Sequence, residues 1–574
     1  MKEFCTEITN SRKRLDMPKL RVGLIVDESD QSPLIWDSFN SGRASDLYSI
    51  EALIVQCGPY AHKNRILKVV NKVGSGGLRK ALAWTLFRGM ESLELKLLAR
   101  KDERYREFSL KYPLELFEVQ KLFVSPEVSS CGLVCTYQEK DIAAIRHLGL
   151  DILIQGGRAI PKGEVLDICR FGVISLYHAD DAVNRGDPPG FWEVVNRDPS
   201  TGFSIRRLSN DHDGGDVIFR GNTATESLYT RNKLKILSKS NIFLHRTIEQ
   251  IAVAGRLPQL EPKLPFAYPM YLHLTLPQVL NYVFKTFTYK AGQKFLKLQA
   301  KTSNRWNIAY QFVDTWKGAE LRRSTVIPNP SGRFLADPFV IVKDGRAVVY
   351  AEDYDYRSSR GKISAYELTR SGHTELGSAL EEDFHLSYPF LFEQDGVLYM
   401  CPETHQSRDI RIYRCIEFPL RWELHKILMN DIAAVDTSIF EHDGKFWMLT
   451  NIDSSSWGDY SSELHIFHSD TFDSSKWSAH PSNPVVFDSQ KGRNGGLILD
   501  GEDIYRVFQI QGFDTYGAAM GVAKITQLNC DNYQEEIVCE IQPRFFPHIR
   551  GTHTLSYDDG VLAIDFVKSR SKKD

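Results

Sequence analysis

Two polar turns within residues 172–221 hold side chains able to donate hydrogen bonds and to move protons. The first ends the apolar run Phe171-Gly-Val-Ile-Ser and carries Ser175, Tyr177, His178, Asp180 and Asp181. The second is Asp211-His-Asp-Gly-Gly-Asp216, with Asp213 near its centre, and Arg185-Gly186 and Pro188-Pro189 lie between the two. A hydroxyl or imidazole can hold charge developing on an attacked carbonyl, and a carboxylate can take the proton of a nucleophile. The plainer alternative is two buried strands joined by polar turns.

A second set of candidates is spaced by a repeat. Asp-Gly recurs at Asp344-Gly345, Asp395-Gly396, Asp443-Gly444, Asp500-Gly501 and Asp559-Gly560, each pair between two apolar runs. That is a hairpin signal. The spacings of 51, 48, 57 and 59 residues fit one propeller blade each. Asp337, Tyr388, Asp436, Asn494 and His553 start the five first strands, and Glu352, Glu403 and Asn451 follow the first three pairs. First strands line a propeller's axis, so these groups are expected to gather at one mouth. Carboxyl groups roughly 5–9 Å apart there could act as acid and base on a glycosidic bond. Asp337 and Asp436 could equally cap strands by accepting from backbone amides.

The first set needs an α/β scaffold. Residues 20–26 and 50–55 are short apolar runs, and residues 139–148 read as a helix ended by Gly149 and followed by the strand Asp151-Ile-Leu-Ile. Strand and helix alternate as in a doubly wound sheet, whose ligands sit beyond the carboxyl ends of the strands. No GxGxxG follows the first strand, which excludes a dinucleotide fingerprint. Further helices are expected over residues 65–98 and 223–257. The domain reading is therefore an α/β domain over 1–257, a basic helical linker over 258–322 and an all-β five-bladed propeller over 323–574. The stretch 276–301 reads as a basic amphipathic helix, and no acidic residue lies between Glu261 and Asp314. Such a helix can lie on an anionic membrane surface or dock between domains.

With 574 residues the chain needs more than one core. A net charge of −2 gives no global attraction to nucleic acid, and no nucleic-acid reader is evident, so none is expected as a partner. The nine cysteines are scattered; Cys131-x3-Cys135 has no second pair to complete a zinc set, and no metal is expected. The first nineteen residues lack an apolar segment, which points to a cytoplasmic protein with a peripheral membrane contact through 276–301 as an option.

Residues 20–250 resemble the folate-dependent formyltransferases, the family of methionyl-tRNA formyltransferase and the sugar N-formyltransferases. The resemblance is carried by Ser175-Leu-Tyr177-His178, Arg185-Gly186, Thr201-Gly202 and Asp213-Gly-Gly-Asp216. In that family an Asn and a His hold the oxyanion and an Asp manages the proton. Here Ser175 stands in the Asn slot, and Tyr177 occupies the literal His slot with His178 one residue later. The resemblance implies N10-formyltetrahydrofolate as donor, Ser175, His178 and Asp213 as catalytic groups, and Tyr177, Asp180 and Arg185 at the substrate. Tyr177 and His178 alternate on an extended strand, so one of them serves; His178 is favoured where the strand has ended.

The propeller resembles family 43 glycoside hydrolases through Ala336-Asp337-Pro338. It is more similar to the N-terminal propeller of glucosamine inositolphosphorylceramide transferases, through Leu335-Ala-Asp-Pro-Phe339, His385-Leu-Ser-Tyr-Pro389, Pro402-Glu403 and Val435-Asp436-Thr437. Tyr388 departs from the hydrolases, which carry a carboxylate there. Together the resemblances imply a transferase moving a formyl group to an amino sugar of a nucleotide- or lipid-linked glycan. The propeller would bind carbohydrate through Asp337, Glu352, Tyr388, Glu403, Asp436 and His553. The other reading is a glycan-processing or glycan-binding propeller beside a degenerate formyltransferase-like domain.

Overall fold

The computed structural model describes residues 18–58, 77–129, 133–179, 185–211, 214–261, 270–271, 274–299 and 305–568. The chain divides into two compact units, Ser11–Lys290 and Ala291–Asp574.

The first unit is built on a seven-stranded sheet. Strands β1 (Leu20–Asp27), β2 (Tyr48–Gln56), β3 (Gln120–Val124), β4 (Ile152–Gln155) and β5 (Val173–Tyr177) are parallel, in the order β3-β2-β1-β4-β5. Two antiparallel strands, β6 (Ser200–Arg207) and β7 (Asp216–Ala224), extend the β5 edge. Val22, Leu24, Ile25 and Val26 of β1 are all fully buried, because a parallel strand covered on both faces has no solvent side. Strand order reverses between β1 and β4, the switch point of a doubly wound sheet. Its helices include α1 (Pro33–Ala44), α2 (Gly77–Ala99), α3 (Glu139–His147), α4 (Phe191–Asn196), α5 (Tyr229–Ala254) and the part of α6 (Leu276–Gln299) up to Lys290.

One helix expectation shifts and another is described only in part. Residues 65–76 of the first expected helix lie outside the described residues, and α2 is described from Gly77. Thr223 and Ala224 are the end of β7, paired with Thr201 and Ser200, so α5 starts only at Tyr229. Gly255, at φ 64°, caps α5 by donating its N–H to the Ile251 carbonyl at 2.8 Å.

The second unit is a ring of five antiparallel sheets. It opens with β8 (Trp306–Phe312). The innermost strands of the five sheets are β9 (Arg333–Lys343), β10 (Ser387–Gln394), β11 (Ala434–His442), β12 (Asn494–Asp500) and β13 (Leu555–Asp558). Each packs on the next and β13 packs back on β9, so the ring closes as a five-bladed propeller. The last blade is completed by β8, which pairs along β14 (Val561–Lys568) with Trp306 opposite Val567 and Phe312 opposite Val561. This corrects the linker expected to run to residue 322. The segment from 306 is a propeller strand, because β14 would otherwise be an unpaired edge.

The Asp-Gly turns show why the repeat could be read locally. Asp344, Asp395, Asp443 and Asp559 and the glycines that follow them all have positive φ, as the tight turn joining twisted strands requires. The pair at Asp500 sits one place earlier: Asp500 still pairs with Asp503, and Gly501 alone takes φ 64°. Gly496 marks a close approach of blades. A Cβ there would lie 2.2 Å from the Leu555 carbonyl oxygen at φ 138°. Gly496→Ala is expected to destabilise the propeller by about 1–3 kcal/mol, read as a lowered urea midpoint.

Candidate functional site

The propeller's axis holds a buried, charged cluster placed there by a repeated backbone device. Asp337, Tyr388 and Asp436 have φ of 47°, 44° and 51°, each beside a register shift in its blade's first hairpin. A left-handed residue in a bulge re-aims its side chain, at about 1–3 kcal/mol of backbone strain.

Asp436 is 2% exposed and accepts from the Arg493 Nε at 2.6 Å and from the Gln509 amide at 3.0 Å. Arg493 also reaches toward Glu403, at 4.0 Å, and lies over the Tyr516 ring at 4.8 Å. Burial holds the Glu403 carboxyl well above its usual range, and the neighbouring Asp436 adds to the push. Burial thus favours the neutral form of Glu403, while Asp436 is held by the Arg493 cation.

Asp337 accepts from the Thr554 hydroxyl at 2.7 Å and lies 3.6 Å from the His553 Nε2. Burial raises its carboxyl to about 6, against the opposing effect of His553. His553 stacks on Trp306 with centroids 4.0 Å apart and contacts Asp565 through Nδ1. Burial works to lower the His553 pKa, yet the carboxylates of Asp565 and Asp337 prevail and raise it. Ligand-type atoms of Asp337, His553 and Asp565 lie within 4.8 Å of one another, a grouping able to hold a cation that the sequence reading missed. Asp565 Oδ1 is engaged by the backbone N–H groups of His553 and Thr554, at 2.8 and 3.0 Å. Glu352, raised well above its usual range first by burial and then by Asp337, faces the His385 Nε2 at 3.4 Å. The His385 Nδ1 accepts from the Gly361 N–H at 2.8 Å, and burial lowers the ring's pKa, so its neutral form offers Nε2–H to Glu352.

The axis thus gathers Asp337, Glu352, Glu403, Asp436 and His553 as expected groups. Tyr388 is corrected. It is fully buried, its ring edge-on to Phe339 at 4.7 Å and its hydroxyl 3.2 Å from Ser438, so it packs between blades and offers no face to a sugar. Arg493, Gln509, Asp565 and Trp306 were missed. An aspartate inside the apolar run Val561-Leu-Ala-Ile-Asp-Phe was the one available signal for Asp565. Tyr516, 42% exposed, brings the cluster to the surface.

In the α/β unit, Ser175 and Tyr177 share one face of β5, and His178 follows the strand's end. Tyr177 lies opposite Ser204 and beneath the Arg206 guanidinium, which is 4.7 Å from its ring centroid. The cation covers one face of the ring. His178 has a buried Nε2 with no partner in the structure. Burial, with the charge of Lys233 adding, pushes its pKa down to about 4, so the ring is neutral at pH 7. Lys233, held by Glu91 at 2.6 Å, is a neighbour that sequence reading missed. Asp180 and Asp213 lie outside the described residues, as does the side chain of Arg185, whose backbone pairs with Met270.

Residues 292–545 match the family model described as glucosamine inositolphosphorylceramide transferase 1, N-terminal. Relatives of that name in Arabidopsis thaliana and Oryza sativa subsp. japonica are 33% and 34% identical over 208 residues, 35% of this chain. The chain spans 27% of the length of these relatives. The chain is also similar to methionyl-tRNA formyltransferase of Bacillus cytotoxicus, at 22% identity over 237 residues, covering 40% of this chain and 72% of the relative. Among solved structures, the catalytic domain of a Coprinopsis cinerea GH62 α-L-arabinofuranosidase is 12% identical and covers 47% of this chain and 93% of that one, with a TM-score of 0.35. Phosphoribosylglycinamide formyltransferase of Anaplasma phagocytophilum is 12% identical, covers 43% and 97%, and has a TM-score of 0.27.

Proposed function

We propose that this chain is a glycan-modifying transferase. Its α/β unit moves a formyl group from N10-formyltetrahydrofolate to the amine of an amino sugar on a nucleotide- or lipid-linked glycan, and its propeller binds carbohydrate at the axial cluster. The observation that carries this reading is His178, a neutral imidazole beyond the carboxyl end of β5 with one buried nitrogen left unpartnered. An unsatisfied buried polar group costs about 1–3 kcal/mol, which a ligand atom bonded there would recover. The relatives' names support a glycan-related transferase: methionyl-tRNA formyltransferase for the first unit, and glucosamine inositolphosphorylceramide transferase 1, 27% of whose length is matched, for the second.

The donor supplies an activated formyl carbon. The amine nitrogen attacks that carbon, the bond to N10 breaks, and N10 takes up a proton while the amine loses one. His178, as neutral N–H donor, steadies the charge developing on the carbonyl oxygen, an effect of about 3–4 kcal/mol for one such donor. Ser175 is the second donor, and Asp213 is assigned the amine proton by its place in the motif.

The test is transfer from N10-formyltetrahydrofolate to a panel of nucleotide-linked amino sugars. His178→Ala is expected to lower kcat by about 10²–10³-fold, with KM for the sugar little changed. Absence of transfer by the native chain, or full activity of His178→Ala, overturns the reading. A second reading, glycan processing by the propeller itself, is favoured by the buried pair of carboxyl groups, Glu403 and the Arg493-bound Asp436, at the axis. It expects Glu403→Gln and Asp436→Asn to abolish activity on a glycan while His178→Ala leaves it intact.

A further inference from the structure

Two helices of the α/β unit expose apolar stripes that the fold does not use. On α6, Leu280, Phe284 and Phe287 follow one another at helical spacing and are 51%, 67% and 73% exposed, while Val279 and Tyr282 face inward. On α2, Leu82, Leu93 and Leu97 are 54%, 59% and 50% exposed, while Ala83 and Phe87 are buried. The helices are neighbours: the Tyr282 hydroxyl bonds Glu94, and Phe191 packs on both Phe87 and Tyr282. Phenylalanines largely exposed on one stripe are costly in water and mark a docking face.

On the two helices themselves the exposed charges are cationic, while the exposed acids Glu103 and Glu107 follow beyond the end of α2. The only acids of α2, Glu91 and Glu94, are turned inward and engaged, Glu91 by Lys233 at 2.6 Å and Glu94 by the Thr230 N–H at 2.9 Å. Arg79 and Lys96 of α2, and Arg100 just beyond it, remain exposed. The sequence places no acid anywhere on α6. Leucine and phenylalanine stripes framed by lysine and arginine suit an anionic lipid surface, into whose headgroup layer the apolar side chains sink. A second copy of the same face would bring these cations against one another. No described helix is long and apolar enough to cross a membrane, so contact would be peripheral.

We infer that α2 and α6 dock this chain on the surface of an anionic phospholipid bilayer. Flotation of the full chain with vesicles tests this, comparing phosphatidylcholine alone with phosphatidylcholine containing about one-third phosphatidylglycerol. The expected result is at least about tenfold stronger partition onto the anionic vesicles. Phe284→Glu with Phe287→Glu should lower it roughly a hundredfold, about tenfold per side chain. Lys96→Glu with Arg100→Glu should erase the difference between the two vesicle types. All four residues are exposed, so unchanged circular dichroism is expected to certify the fold of each variant. No flotation of the native chain, or equal flotation of Phe284→Glu/Phe287→Glu, overturns the inference. A dimer that the phenylalanine variant converts to monomer, without lipid binding, assigns the face to a second copy and likewise overturns it.

Discussion

Arg493→Met is expected to destabilise the propeller by about 3–5 kcal/mol and to weaken glycan binding at the axis. The guanidinium is nearly enclosed, with its Nε 2.6 Å from Asp436 and its fork turned toward Glu403. Removing one partner of a buried pair leaves the other charge desolvated, which is the costly way to break it. Gln509 stays as a neutral donor to Asp436 and cannot replace the charge. Urea unfolding followed by tryptophan fluorescence measures the loss. Adding Asp436→Asn to Arg493→Met should recover part of it, since the uncompensated carboxylate is then gone. Equal stability of Arg493→Met and the native chain would mean that the cluster is solvated and is no enclosed site.

The propeller should also be more stable in mild acid than in weak base. Asp337 titrates at about 6 when folded and near 4 when unfolded, so folding takes up a proton between those values. That contribution is fully present below about pH 4 and is lost as pH rises through about 6. Glu352 and Glu403, raised by burial, act in the same sense at higher pH. His553, with its folded pKa also raised, contributes below its unfolded value and loses that contribution as pH passes the folded one. The urea midpoint should therefore fall between about pH 5 and pH 8. Asp337→Asn keeps the Thr554 hydroxyl within reach and should remove roughly 2–3 kcal/mol of the dependence. A flat or rising profile in the native chain would contradict the buried, mutually repelling carboxyl groups.

The two predictions rest on groups of differing legibility. Asp337 and Asp436 could be read from the sequence because each stands at a fixed offset before an Asp-Gly turn, and a turn is a local event. The partners that set their chemistry could not. Arg493 is 57 residues from Asp436, and Asp565 is 228 residues from Asp337. Packing of neighbouring blades brings Arg493 to Asp436, and closure of the last blade on the first brings Asp565 to Asp337. Tyr388 shows the opposite case: its position on the bulge follows the repeat, but packing against Phe339 decided which way its ring could be used.

By itself the sequence determined the two architectures, since alternating apolar runs, helix stops and recurrent hairpin turns depend on near neighbours along the chain. It also placed Ser175 to His178 at the end of a strand, whereas Asp337, expected to start its strand, lies on a bulge inside β9. Tertiary structure alone decided electrostatics and access: the neutral His178 with its free nitrogen, the covered face of Tyr177, the raised Glu403 carboxyl beside a cation-bound Asp436, and the outward phenylalanines of α6. Burial and charge at a side chain are set by whatever packs against it in space, and those neighbours come from every part of a unit.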